Sequence, residues 1–378
     1  MINLQERLKQ AAASRILPAV VSYNRIDGPG SSLDLRSFQQ AFWRLPVIPS
    51  DFQEDPSMEW SRNLPRTVGI TIGTGTRVEA HPFSSDQIGI ASVEYGTDVV
   101  GKPGQIIPVK ENWLLKIMDI LGLSGVRFVL YNLHPGTHSS GLGGSATATT
   151  GVCLLANELA GNPFSHTQLV SMASSLEHDL GVSITGTQEQ ANVVFGGIVD
   201  YIWCPWGIPG QPDTGYGTSI RTTLLSPEYY PDCEQRMAVF HSGKARASTD
   251  VNTVWANALS TLSGYTRHAK KPEIAYAFRE GIRLRQWDRI TEAIDDYRKI
   301  RTDLCPDYLA GAHEILEQCE ASGCTAFPLG AGGGGGVFIF SALPESLTTA
   351  RKSLQEAYRE LPIKIRSSGH EFFNLPLR

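Results

Sequence analysis

The chain has 378 residues, 41% hydrophobic and 19% charged, with a formal charge of −5; this is the composition of a globular protein long enough for two domains and a sizeable core. It contains no long Lys/Arg run, which excludes the electrostatic footprint of a nucleic-acid or anionic-membrane binder and confines any anion binding to a local site. Six cysteines, at 153, 204, 233, 305, 319 and 324, include no Cys-x-x-Cys pair and read as reduced thiols rather than a disulfide or metal framework.

The first ten residues mix charged and apolar side chains, and no apolar segment has the length of a bilayer span, so a cytoplasmic location is expected. In chain order, residues 2–13 read as a helix and 16–26 as a strand, followed by a Gly- and Pro-rich loop over 27–34. Residues 36–65 lack clear periodicity and suggest an ordered insertion or surface excursion. Strands are expected at 68–78 and 87–93, a helix at 113–121 and a strand at 126–130. A helix at 165–180 stops at Gly181, and 186–202 reads as a glycine-broken turn entering a strand. A Pro/Gly/Trp-rich stretch near 205 marks an expected crossing between domains 1–205 and 206–378. Beyond it come strands at 219–225 and 236–240 and helices at 251–263, 270–283, 287–301 and 307–321. A glycine run enters a strand at 337–340, and a helix near 345–359 and a strand at 363–365 close the chain.

Two glycine-rich stretches carry the chemistry. In the first, Gly141-Leu142-Gly143-Gly144-Ser145-Ala146 lies between an expected strand and the helical apolar spacing of Val152, Leu155 and Leu159. Glycines let the backbone approach an anion, and a helix amino terminus directs N–H groups and a positive dipole end at it. The same residues also fit a plain glycine turn at a helix start. The second stretch, Gly330 to Gly336, precedes a strand in the same manner.

With these two loops, Arg25 and Asp34, nine positions apart around Gly28 and Gly30, complete an ordered set of three motifs that resembles the GHMP kinases. Finer matches, Leu176-Glu-His-Asp-Leu-Gly181, Thr187-Gln-Glu-Gln190, Phe195-Gly-Gly197 and Ser242-Gly-Lys-Ala-Arg-Ala-Ser248, resemble the heptose-phosphate and fucokinase-like sugar kinases. The resemblance implies a two-domain α+β fold, with a mixed-sheet N-terminal domain and a helix-rich α+β C-terminal domain. It further implies ATP and Mg²⁺ as cofactors and transfer of a phosphoryl group to a hydroxyl of a sugar or sugar phosphate. Neither nucleic acid nor membrane is an expected partner, and a homodimer is one arrangement it allows.

Residue by residue, the resemblance makes Gly141 to Ala146 the nucleotide-phosphate loop, Ser145 and Glu177 the Mg²⁺ ligands, and Glu189 the catalytic carboxylate. It makes Arg25, Asp34, Gly332, Gly333, Lys244 and Arg246 substrate-binding. Taken by themselves, Glu177 also fits a solvated helix-end carboxylate, Asp34 a turn or cap residue, and Arg25, Lys244 and Arg246 solvated surface cations. Two positions depart from the family pattern, Glu189 replacing an aspartate and Gly144 a serine, and Phe327 stands where the heptose-phosphate and fucokinase-like branch usually has a lysine. A catalytic group displaced by about 1 Å can lose about a hundredfold in rate, yet phosphoryl transfer depends mainly on positioning and charge neutralisation. Two alternatives to a sugar kinase are a binding protein that has lost catalysis and a kinase for a cyclitol or other non-sugar alcohol.

Overall fold

The computed structural model describes residues 16–42, 57–94, 96–134, 140–205, 207–208, 217–244 and 248–376; the helix expected at 2–13 and the candidate Arg246 lie outside them. The elements follow in chain order as β1 (Ile16–Asp27), α1 (Arg36–Phe42), β2 (Arg66–Pro82), β3 (Ile88–Ser92), β4 (Thr97–Gly101), α2 (Trp113–Ile120), β5 (Val126–Asn132), α3 (Gly144–Leu159), α4 (His166–Asp179), α5 (Gln188–Phe195) and β6 (Ile198–Trp203). They continue as β7 (Ser219–Thr223), α6 (Tyr230–Glu234), β8 (Met237–His241), α7 (Ser248–Ala258), α8 (Leu262–His268), α9 (Lys271–Leu284), α10 (Trp287–Leu304) and α11 (His313–Ala321). The last are β9 (Thr325–Pro328), β10 (Gly336–Phe340), α12 (Pro344–Leu354), β11 (Arg359–Leu361) and β12 (His370–Pro376).

Among the described residues the strands form two sheets. The larger, eight-stranded sheet runs β12-β1-β2-β5-β3-β4, with β6 joined to the first half of β2 and β7 to β6; the smaller is the antiparallel set β11-β8-β10-β9. Among the described residues only β3 and β5 pair in parallel within the larger sheet, so it is mixed. The expected mixed sheet and α+β class are what the chain adopts. The larger sheet nevertheless takes in β7 and β12 from beyond residue 205.

α3 is the helix on which the site is built. It packs against β1 and β2, and Gly151 allows the close approach, because a Cβ there would lie 2.6 Å from Ser22 Oγ. The threonines of its first turns return their hydroxyls to carbonyls one turn back, Thr147 to Gly143 at 2.8 Å and Thr150 to Ala146 at 2.7 Å. Their polar groups are thereby satisfied inside a buried helix. One core, with Val78, Phe128, Val152 and Leu155, lies between the larger sheet and α3. Another, with Ile70, Phe278, Ile294 and Phe338, joins that sheet to α9, α10 and the smaller sheet.

Several local expectations are corrected. Residues 188–195 form a helix rather than part of a turn into a strand, and Gly196 and Gly197, at φ 70° and 79°, end it before β6. The helix expected at 251–263 divides into α7 and α8, where Thr261 accepts from Gly264 N and a Cβ on Gly264 would meet Ala258 O at 2.0 Å. A 3₁₀ turn, Pro306–Leu309, and Gly311 at φ 80° precede α11, so that helix begins later than expected. Ile365 makes an isolated bridge to Ile72 instead of a strand, and β12 pairs with β1. Within 36–65 the described residues hold α1 and a 3₁₀ turn, Glu59–Ser61.

Candidate active site

The loop before α3 turns on Gly141 at φ 76° and Gly143 at φ 80°, backbone that a side chain would strain. Leu142 is buried in the core, and its carbonyl accepts from Arg25 N at 3.3 Å. Gly143 also gives room to the neighbouring carboxylate, since a Cβ there would lie 2.8 Å from Glu189 Cγ. Gly144 and Ser145 are exposed at the first turn of the helix. Its amino terminus and dipole therefore face open space, the arrangement that suits an anion.

Glu177, in the last turn of α4, is fully buried instead of solvated. The Ser145 and Thr149 hydroxyls lie 2.6 and 2.9 Å from its Oε1, and Gln190 Nε2 donates to Oε2 at 3.0 Å. Burial pushes its carboxyl up to about 7, against the opposing pull of those hydrogen bonds. Glu189, in the first turn of α5, pairs with Arg25 Nη2. Arg25 is itself buried, donates from Nη1 to Gly141 O at 2.8 Å and stands 3.6 Å from Asp27. One guanidinium thus links the Glu189 carboxylate to the glycine loop. Burial opposes its charge, but Glu189, Asp27 and Asp34 outweigh that and raise its pKa.

Asp34 lies in the same cavity wall, and its Oδ2 accepts from Thr187 N and Gln188 N, both at 3.0 Å. It therefore caps α5 from a distant part of the chain and fixes the helix that carries Glu189. Gly186 makes room for it: a Cβ there would lie 1.8 Å from Asp34 Oδ2. Burial, followed by the neighbouring Glu189, raises the Asp34 carboxyl to about 6.

The second glycine loop is tied to the first motif. Gly330 N donates to Asp27 at 3.1 Å, and Arg301 donates to Gly330 O and Ala331 O at 2.8 and 2.9 Å. Gly330 and Ala331 line the cavity, whereas Gly332 lies against Tyr308, whose ring a Cβ would meet at 1.9 Å, and Gly333 N donates to Tyr308 O at 2.8 Å. Lys244 is exposed; its carbonyl accepts from Gly335 N at 2.9 Å, and it does not contribute to the wall of that cavity. Phe327 is buried on β9, its ring edge-on to Tyr297 and Phe338, so core packing occupies that position. All six cysteines are buried free thiols.

Arg25, Asp34, Ser145, Glu177 and Glu189 converge on one cavity of about 270 Å³. A second, more apolar cavity of about 360 Å³ opens on the other side of Gly144 and Ser145, walled by Ile90, Val99, Trp113, Leu115, Leu130 and Tyr131. It was not evident from the sequence, because its walls come from β3, β4, α2 and β5 and carry no motif. The one local signal is Trp113, which is half-buried and donates from its indole to Thr149 Oγ1 at 3.0 Å.

Residues 110–197, which contain α3 through α5, match the family model for the GHMP kinases N terminal domain. A homoserine kinase from Picosynechococcus is 23% identical over 226 residues, a match covering 60% of this chain and 64% of that protein, less than two thirds of its length. Among solved structures, a D-glycero-D-manno-heptose 1-phosphate kinase from Bacteroides thetaiotaomicron superposes with a TM-score of 0.63 at 14% identity, covering 94% of this chain and 98% of that one. The phosphomevalonate kinase of Streptococcus pneumoniae, in complex with phosphomevalonate and AMPPNP, does so with a TM-score of 0.67 at 14% identity, covering 94% and 99%. Among the described residues no helix is long and apolar enough to cross a membrane. Residues 110–197 thus match the GHMP kinases N terminal domain, within a chain that has the fold of the GHMP kinases of known structure.

Proposed function

We propose that this chain is a kinase that transfers the terminal phosphoryl group of ATP to a hydroxyl of a small molecule, with a sugar or sugar phosphate as the acceptor class. The observation that carries this reading is the meeting of two cavities at Gly144 and Ser145, at the amino end of α3. The apolar one suits a nucleotide base, the glycine loop between them its phosphates, and the polar one an acceptor held against Glu189.

Glu189 is the group that orients the acceptor hydroxyl and takes its proton. Its extra methylene relative to aspartate is accommodated by Gly143, over which its Cγ passes, and by the Arg25 guanidinium at its tip. Mg²⁺ is held by one or two carboxylates together with phosphate oxygens and water. A buried carboxylate with a serine hydroxyl at 2.6 Å fits that role, so Glu177 and Ser145 would hold the ion. When bound, it would neutralise charge on the phosphates. The curated homoserine kinase supports a second reading with the same chemistry, in which the acceptor is a non-sugar alcohol.

The test uses purified protein, Mg·ATP and a panel of aldoses, sugar phosphates, cyclitols and amino alcohols, with phosphorus NMR as readout. Glu189→Ala should lower turnover by about 10²- to 10⁴-fold while leaving Mg·ATP affinity nearly intact. Equal turnover in the variant removes Glu189 from its role, and nucleotide binding without any phosphorylated product supports a protein that has lost catalysis.

A further inference from the structure

Behind the cavity wall formed by Ser31 and Ser32 lies a buried lysine to which the phosphoryl-transfer reading assigns no task. Lys271, the first residue of α9, is fully buried, and its Nζ donates to Ser32 Oγ at 3.0 Å. The ammonium also stands over two rings, 5.2 Å from the centroid of Trp255 and 5.7 Å from that of Phe38. Buried ammonium groups are ordinarily paired with a carboxylate; among the described residues Lys271 makes no such ion pair. The charged and titratable groups around it are Arg301 of α10, which opposes its charge, Asp34, which favours it, and His268 of α8, whose imidazole burial drives down to about 2. Burial and Arg301 together draw the lysine well below its ordinary pKa. An anion placed beside Ser32 would hold it in its charged form.

Ser32 is itself unusual. Its φ of 79° is left-handed backbone, which a non-glycine residue adopts at a cost and which persists where the surroundings over-determine it. Its Oγ accepts from Lys271, which leaves the single hydroxyl hydrogen free to be donated elsewhere. Ser32 lines the acceptor cavity together with Gly330 and Ala331, whose carbonyls Arg301 holds from behind. A buried lysine and a buried arginine therefore back this part of its wall.

We propose that Ser32 and Lys271 form an anion-reading corner of this cavity, so that the acceptor carries an anionic oxygen group besides the hydroxyl that is phosphorylated. Ser32 donates to that group, and Lys271 is a positioning residue that fixes the Ser32 hydroxyl and supplies positive potential. The proposal rests on the reading of this cavity as the acceptor site.

The test is calorimetric titration of inorganic phosphate, and separately of acetate, into the full chain holding saturating Mg·ADP. The two arms distinguish a phosphate-bearing from a carboxylate-bearing acceptor. At least one anion should bind wild-type protein, and Ser32→Gly, which removes the hydroxyl while relieving the backbone strain, should weaken that binding about tenfold. Lys271→Met should do the same, its melting temperature being followed alongside. With an active acceptor, Ser32→Gly should raise KM more than it lowers kcat. Wild-type anion affinity in both variants overturns the proposal. So does a wild-type protein that phosphorylates neutral sugars and binds neither anion. If Mg·ATP binding and transfer are absent as well, the reading of the cavity as an acceptor site falls with it.

Discussion

Ser145 and Glu177, 32 positions apart, meet with the serine hydroxyl 2.6 Å from Glu177 Oε1. This contact joins the first turn of α3 to the last turn of α4 and places a fully buried carboxylate beside the glycine loop. Hydrogen bonds from Ser145, Thr149 and Gln190 partly offset its burial, and its pKa still rises from 4.5 to about 7. The site therefore holds a carboxylate that is costly to ionise until a cation arrives.

The first prediction follows from that rise. A carboxyl whose folded pKa exceeds its unfolded value binds more protons when folded, so its stabilising contribution is complete below pH 4.5 and is lost as pH rises through about 7. The difference corresponds to about 3 kcal/mol. Glu177→Gln should accordingly raise the stability of the metal-free protein at pH 8 by up to about 3 kcal/mol and leave it nearly unchanged at pH 4. Urea denaturation at the two pH values measures this. The variant should also abolish stabilisation by Mg·ADP, and a variant that keeps wild-type stability at pH 8 and its response to Mg·ADP contradicts both expectations.

A second prediction concerns the divergent loop position. A Cβ on Gly144 would meet nothing within 4 Å, and its φ lies outside the left-handed region. Gly144→Ser should therefore fold normally and gain about 0.5 kcal/mol from the better helix former. A fall in the denaturation midpoint would show that the space in front of the helix is not free.

Asp34 supplies the third. Because its Oδ2 accepts from the Thr187 and Gln188 amides, Asp34→Ala should cost about 1–2 kcal/mol as α5 loses its cap, whereas Asp34→Asn should stay within about 0.5 kcal/mol of wild type. If Asp34 also grips the acceptor, Asp34→Asn should raise KM while the denaturation midpoint stays in place. Equal destabilisation by both substitutions argues against the capping account.

Much of the local structure is legible in the sequence, and the reason is visible in particular elements. Gly141, Gly143 and Gly181 take the left-handed backbone that glycine suits, and they fall where loops and helix ends are expected. The helices at 113–121 and 165–180 and the strand beginning at residue 16 follow from apolar spacing and capping, which act between neighbours along the chain. α5 is less legible, because a contributor to its amino-terminal cap is Asp34, more than 150 positions away. β12 is not legible along the chain because pairing with β1, rather than a strong pattern of its own, makes it a strand.

The sequence by itself determined the glycine loop, the helix behind it, the order of the three motifs and the carboxylates and arginine available for chemistry. Only the tertiary structure decided that Glu177 is buried rather than solvated, that Asp34 is a cap as well as a cavity residue, and that Gly332 packs on Tyr308 while Gly330 faces the cavity. It also decided that an apolar cavity adjoins the loop. Local dihedral preferences are set by each residue and its near neighbours, so they can be read along the chain. Burial, proton affinity and cavity walls are properties of residues brought together from far apart, and they arise only when β1, α3, α4, α5 and the second glycine loop meet.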